Sequence, residues 1–295
     1  MRIATEAHIT SRLRWVAGTH NVMRFRDLAF LTGLAGAATL IYGALVESNR
    51  LVLERHSLTL SDWPERLNGF RIAVLGDLHI RDKYSVALAK KAVAMALNAS
   101  PDMVVLVGDL VSYWKPEMPR MLGEVLEPLL LMEGNVVGVP GNHDYSCGPV
   151  ENLAAILSEL NIKLLRNESW RHQGITWVGV DSQNAGQARP VQAMAEVLEK
   201  PRIALWHEPD CVDDLPQGCV LQISGHSHGG QFRLPFGVTP MYSENGKRYP
   251  QGFYPLASTP LYVTRGVGTT GPPSRFLCPP EVSLLTLFAA DPQEA

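Results

Sequence analysis

His226 and His228 stand two positions apart in SGHSHGGQ, residues 224–231. Serine and glycine around them offer little apolar surface, so neither imidazole reads as a core residue. The pair proves nothing alone, because an isolated histidine is usually a satisfied polar group. Other segments change its meaning. RIAVLGDLH brings Asp77 and His79, MVVLVGDL brings Asp109, NVVGVPGNHD brings Asn142, His143 and Asp144, RIALWHEPD brings His207, and VLQISGHSH leads into the pair itself. Carboxylate oxygens and neutral imidazole nitrogens without thiolate suit borderline divalent ions such as Mn2+, Fe2+ or Zn2+ better than soft copper. The donors exceed what one ion needs. Two ions about 3.5–4 Å apart, bridged by one carboxylate, would hold a phosphoryl oxygen, generate hydroxide at neutral pH and neutralise a leaving oxygen. Phosphate ester hydrolysis needs all three.

These donors must be positioned by the elements that precede them. Each segment is a short apolar run stopped by Gly, Asp, Asn or His, which is a strand signal. Helical patterns lie between several of them: VALAKKAVAMALNAS, MPRMLGEVLEPLLLM and VENLAAILSELN. Strand and helix in alternation indicate an α/β domain. In such sheets ligands bind beyond the carboxyl ends of the strands, where all of these donors fall. LVLERHSLTL, residues 51–60, reads as an edge strand, and Pro235 to Pro255 as a long loop. With no internal repeat and no low-complexity linker, one domain over 51–291 is the economical reading.

Composition sets outer limits. With 295 residues, 46% hydrophobic and 19% charged, the chain is ordinary globular material. A formal net charge of -3 provides no general attraction to nucleic acid, and no such partner is expected. Cys147, Cys211, Cys219 and Cys278 form no CxxC pair and read as isolated thiols. The N-terminus differs from the rest. LAFLTGLAGAATLIYGALV, residues 28–46, is uncharged and long enough to cross a bilayer, as a single-pass or monotopic anchor. A basic tail, residues 1–27, precedes it with Arg2, Arg12, Arg14, Arg24 and Arg26. The positive-inside rule then places the tail in the cytoplasm and the domain outside. Met23 is an alternative start that would shorten the tail. A cleaved signal peptide is the rival reading, but the apolar run is long for one and no clear A-x-A site follows.

Taken in order, GDLH, GDL, GNHD, WHEPD and GHSHGGQ resemble the calcineurin-like metallophosphoesterase superfamily, from about Leu60 to the C-terminus. The apolar N-terminal segment, GHSHGGQFRLP and the tail RGVGTTGPPSRFLCPPEVSLL further resemble its membrane-associated bacterial phosphodiesterase group. That group includes UDP-2,3-diacylglucosamine diphosphatase-like members of lipid A synthesis. The resemblance implies a four-layer α/β/β/α sandwich with two mixed sheets. It also implies that Asp77, His79, Asp109 and His228 bind one ion, and Asp109, Asn142, His207 and His226 the other, with Asp109 as the bridge. His143 matches the family's non-ligand histidine, which stabilises transition-state charge or protonates the leaving group, and Asp144 is expected to orient it. Two positions depart from the pattern: Gly76 where serine is common, and Ser182 where relatives often carry a second acid after WVGVD.

The expected activity is hydrolysis of a phosphodiester or diphosphate, with two divalent ions as cofactors. Tyr113, Trp114 and Arg233 are the candidate substrate contacts, joined by the aromatic loop residues Tyr242, Tyr249 and Tyr254. Tethering to a bilayer favours an amphiphilic or lipid-linked substrate at a bacterial inner membrane. A lipid A precursor enzyme works on the cytoplasmic face, however, while the arginines place this domain outside. Two alternatives share the fold: a cyclic-nucleotide or general phosphodiesterase, and a non-catalytic metal-binding scaffold.

Overall fold

A computed structural model describes residues 25–195, 199–234 and 238–291. Arg2, Arg12, Arg14, Arg24, Met23 and Pro235 lie outside the described residues. The apolar segment forms α1 (Phe25–Leu45), a helix of 21 residues, about 31 Å long at 1.5 Å per residue. The chain divides into a unit ending at Ala38 and a second unit beginning at Thr39, so the last turns of α1 belong to the globular part. Helix α1 is long and apolar enough to cross a membrane.

After α1 come β1 (Val52–Leu60), β2 (Phe70–Leu75), α2 (Lys83–Asn98), β3 (Met103–Val107), α3 (Met118–Leu126), β4 (Val136–Val139) and α4 (Glu151–Glu159). There follow β5 (Lys163–Leu164), β6 (Glu168–His172), β7 (Ile175–Gly179), α5 (Pro190–Met194), β8 (Arg202–Leu205) and β9 (Leu221–Ser224). Short strands β10 (Gly252–Tyr254) and β11 (Leu261–Val263) precede a long β12 (Glu281–Ala289). Two six-stranded sheets result, ordered β1-β12-β2-β3-β4-β5 and β10-β11-β9-β8-β7-β6. Both are mixed. β2, β3, β4 and β5 run parallel while β12 meets β2 antiparallel, and β7, β8, β9 and β11 run parallel between antiparallel β6 and β10.

Side-chain alternation explains the layering. Along β3, Met103, Val105 and Val107 face the other sheet, where they meet Trp177, Ile203 and Ile223. Val104 and Leu106 face the opposite way, onto Ala92 and Val93 of α2 and Leu122 of α3. In β8, Ile203 and Leu205 point inward to the first sheet, and Ala204 outward to Ala193 of α5 and Trp206. Strands covered on both faces need apolar residues at every position, which is why these segments read as continuous runs. Helices, sheet, sheet and a thin outer layer of α5 with the turn Pro209–Asp214 make the four-layer arrangement.

The pattern MPRMLGEVLEPLLLM is not one helix. Helix α3 ends at Leu126 and a 3-10 stretch, Glu127–Met132, takes over. Pro128 has no N–H to continue the α ladder and its ring crowds the preceding turn. β1 is an edge strand, as its alternation suggests, but its partner is the distant β12.

Candidate metal centre

The carboxyl ends of β2, β3, β4, β8 and β9 all deliver donors into one buried cluster. Asp109 Oδ2 lies 3.5 Å from His79 Nε2 and 3.3 Å from His207 Nε2. Its Oδ1 accepts the backbone N–H of His143 at 2.8 Å. On one side, His79 Nε2 and His228 Nε2 are 3.0 Å apart, and His228 Nε2 is 3.4 Å from Asp77 Oδ1. On the other, His226 Nδ1 is 3.2 Å from His207 Nε2. Asp77, His79, Asp109, His207, His226 and His228 are all buried. His143 is half-buried, the most open histidine of the group.

Backbone carbonyls fix which ring nitrogens face inward. His207 Nδ1–H donates to Val107 O at 2.7 Å, and His226 Nε2–H donates to Glu244 O at 2.5 Å. With both rings neutral, as metal ligands are, the nitrogens 3.2 Å apart, His207 Nε2 and His226 Nδ1, both present lone pairs. Two lone pairs at that distance repel unless a cation lies between or beside them. Holding a ligating imidazole through its other N–H is how metal sites set tautomer and orientation. Asn142 Oδ1 is buried close by in sequence and has no hydrogen-bond partner, an uncommon state for a buried acceptor. Orphaned oxygen, facing lone pairs and paired carboxylates all fit divalent cations.

The electrostatics agree. Burial pushes Asp77 up to about 7 despite the pull of His207. Burial likewise drives His79 down to about 3 and His228 well below the ordinary histidine range. Burial also opposes ionisation of Asp109, yet His207, His79 and His143 around it hold it well below the usual carboxylate range.

Local backbone geometry is unusual at the same residues. Asp77, His79, Asp109, His226 and His228 all have φ between 44° and 68°. Left-handed φ at non-glycine residues is strained and gathers at functional sites. Glycines nearby permit the close approach. A Cβ on Gly141 would fall on the Asp109 carboxylate and sit 2.8 Å from His207 Nε2, and one on Gly225 would sit 2.6 Å from Asp77 Oδ2. Gly141→Ala is therefore expected to lower metal occupancy by about tenfold or more, the scale seen when ligand orientation is lost. Elemental analysis of purified protein, with circular dichroism to verify folding, measures this. Unchanged occupancy would remove the steric argument.

Several expected site residues have other surroundings. Asp144 does not touch the His143 ring: its two oxygens accept the backbone N–H of Val111 at 3.1 Å and of Gly141 at 2.8 Å, bracing the β3 and β4 loops together. The carbonyl of Ser112 orients His143 instead, accepting from Nδ1 at 2.9 Å. Trp114 is a core residue, 6% exposed, whose Nε1–H donates to Asp144 O at 2.6 Å, so it cannot stack on a substrate. Tyr113 is exposed. Arg233 is half-buried, its backbone N–H donates to Phe276 O, and it is absent from the clefts beside the histidines. Tyr249 and Tyr254 pack edge-to-face on each other at 4.9 Å, while Tyr242 lines a cleft with His226 and His228. Gly76 packs where a Cβ would meet Val107.

Other contributors escaped the sequence reading. Glu208 is fully buried and accepts from Ser182 Oγ at 2.5 Å and from the backbone N–H groups of Gln183 and Asn184 at 3.1 Å each. An acid at 182 would face that carboxylate, so serine suits this chain. Asn184 in turn donates to Glu244 O, the carbonyl that holds His226. Arg275 is also fully buried, with Nε and Nη2 donating to Gly268 O and Nη2 to Arg265 O. It thereby knits the loop 265–268 against Asp77, whose carbonyl accepts the N–H of Gly268 at 2.6 Å. Glu208 had a visible signal, standing beside His207; Arg275 had none.

Comparison with known proteins gives the class. A family model described as calcineurin-like phosphoesterase matches residues 70–230. The uncharacterized metallophosphoesterase YkuE of Bacillus subtilis is 30% identical, over 83% of this chain and 88% of its own length. Phosphodiesterase YaeI of Escherichia coli is 31% identical, over 80% and 87% respectively. The UDP-2,3-diacylglucosamine pyrophosphatase LpxG of Chlamydia trachomatis is 28% identical, over 87% and 96%. Among solved structures, a dimetal phosphatase from Danio rerio shares 13% identity at a TM-score of 0.42, covering 70% of this chain and 90% of that one. The protein is a metal-dependent phosphohydrolase. It belongs to the calcineurin-like phosphoesterase family.

Proposed function

We propose that the chain is a membrane-anchored phosphoesterase that uses two divalent ions to cleave a phosphodiester or diphosphate bond in an amphiphilic, nucleotide-lipid type of substrate. Asp77, His79, Asp109 and His228 hold one ion in this reading, and Asp109, Asn142, His207 and His226 the other. The observation that carries it is the place of Asp109, with one carboxylate oxygen between His79 at 3.5 Å and His207 at 3.3 Å. Each of those histidines has a second imidazole beside it. Divalent ions supply a Lewis acid for a phosphoryl oxygen and lower the pKa of an attacking water. His143, with Nδ1–H committed to Ser112 O, keeps Nε2 for a proton at the leaving oxygen or for developing negative charge. Residues 28–46 serve as the anchor at a bacterial inner membrane, 1–27 as a basic tail and 51–291 as the catalytic domain. Support for a lipid-linked substrate comes from α1 and from the similarity to a pyrophosphatase of UDP-2,3-diacylglucosamine.

Dialysis against EDTA is expected to abolish hydrolysis of bis(4-nitrophenyl) phosphate, and Mn2+ to restore it. Elemental analysis of the active protein should find about two ions per chain. Full activity in EDTA would defeat the metal mechanism, and full activity with a single ion would defeat the paired assignment.

A further inference from the structure

Two clefts flank the loop Gly268–Pro273, and they differ in what they are made of. The first, of about 300 Å³, reaches His226 and His228 and is lined by Gln231, Ser243, Thr270 and Tyr242. No residue of α1 lines it. The second is larger, about 450 Å³, and reaches His79. Its walls are Ala44 and Leu45 from the last turn of α1 and Tyr84 and Leu88 from α2, with Arg81 and Thr269 at the inner end. The cleft thus holds a guanidinium two residues from His79, with the Asp82 carboxylate beside it, and apolar groups supplied partly by the anchor.

The wall formed by α1 is fixed. Ser274 Oγ donates to Leu40 O at 3.2 Å, Arg275 N–H to Gly43 O at 3.3 Å, and Cys278 N–H to Glu47 Oε1 at 3.1 Å. Gly43 is packed so closely that a Cβ there would collide with Ser274 Oγ. Beside His79, Arg81 Nη1 donates to Thr269 O at 2.5 Å and Nη2 to Thr269 Oγ1 at 2.8 Å, while its Nε lies 3.9 Å from the Asp82 carboxylate. That separation is an ion pair without a hydrogen bond, and a guanidinium with five N–H donors keeps donors beyond the two given to Thr269 for an anionic oxygen. At the mouth, Leu45 and Tyr84 are 71% and 74% exposed. Large apolar groups left open on both sides of a cleft that begins at a cation match an amphiphile with a phosphate at one end.

We propose that this cleft receives the hydrocarbon-bearing half of the substrate, with Arg81 on a non-reacting phosphate oxygen and Leu45, Tyr84 and Leu88 along the chain. The anchor helix is then part of the substrate site as well as a tether. This inference rests on the phosphoesterase reading above and adds the place and determinants of the lipid half. The apolar half enters on the α1 side because Ile41 and Leu45, one turn apart, leave apolar surface exposed there.

The test uses the full chain in detergent micelles with Mn2+ and two chromogenic diesters, methyl 4-nitrophenyl phosphate and hexadecyl 4-nitrophenyl phosphate. Micelle partitioning alone can favour the hexadecyl ester, so the readout is how the kcat/KM ratio between the two esters changes in variants. Leu45→Glu and Tyr84→Glu are each expected to cut that ratio by about tenfold or more, as charge replaces apolar contact. Leu131→Glu, at an exposed position on the 3-10 stretch after α3, should leave it unchanged. Tyr84 lies on α2 and is exposed, so its substitution disturbs neither the anchor nor the core. Arg81→Gln is expected to raise KM for both esters. Hydrolysis of the methyl ester with unchanged ratios in both cleft variants overturns the cleft assignment alone. Unchanged ratios accompanied by a fall in oligomeric mass overturn it too, and identify the cleft as a contact between copies. Absence of any Mn2+-dependent hydrolysis overturns the phosphoesterase reading and the cleft with it.

Discussion

Asp109→Ala is expected to abolish metal retention and turnover together, with kcat/KM falling about a thousandfold or more. The Asp109 carboxylate faces an imidazole nitrogen of each half. Its Oδ2 faces His79 and His207, and its Oδ1 holds the His143 N–H, so removal unties the β2, β3, β4 and β8 loop ends at once. Because the carboxylate is buried, alanine could disturb folding, and Asp109→Asn is the companion variant. Asparagine keeps an oxygen for the His143 N–H but gives up the negative charge and turns an amide toward the imidazoles. Both variants should fail to retain metal by elemental analysis while Asp109→Asn keeps native circular dichroism. Full turnover by a metal-loaded Asp109→Asn protein would remove Asp109 from its assigned place.

His143→Gln should behave differently, lowering kcat by about 10²–10⁴ while metal content stays at the wild-type level. The difference follows from geometry. His143 stacks edge-on against His79 at 4.8 Å between ring centres, is half exposed, and has one nitrogen tied to Ser112 O. In the proposed reading its other nitrogen meets the incoming substrate. If that nitrogen gives a proton to the leaving oxygen, the loss should be large for alkyl leaving groups and small for 4-nitrophenolate, which departs unaided. A series of aryl and alkyl diesters measures this slope. Loss of metal in the variant would make His143 a ligand, and an equal loss for all leaving groups would leave it only charge stabilisation.

The donors themselves were legible because a strand end is a short, sharply marked feature. Asp77, Asp109 and His207 each follow an apolar run within two or three residues, and the chemistry of acid plus imidazole does not depend on knowing the fold. What held those donors was not legible. Val107, Ser112 and Glu244 orient three histidines through their carbonyls, and a carbonyl carries no residue identity. Asp144 looked like a partner for the neighbouring His143, but adjacency in sequence placed its carboxylate on the far side of a turn, against Val111 and Gly141. Trp114 stood as a candidate substrate contact because sequence does not tell which face of a loop packs inward. At the level of fold, β2, β3, β4, β8 and β9 stood out as buried runs, whereas β12 behind two prolines did not, since its pairing partners lie more than two hundred residues away.

That last strand has a consequence for how the protein comes into being. β12 separates β1 from β2 and pairs with β1 residue by residue, from Val52 with Glu281 to Leu60 with Ala289. While the chain is still emerging from the ribosome, β1 has no neighbour and β2 offers an open edge, the kind of surface that invites mispairing. The catalytic layer cannot close until residue 289 has been synthesised. Closure of the first sheet is therefore a late step in the folding of this hydrolase, and until then its open strand edges call for protection against mispairing.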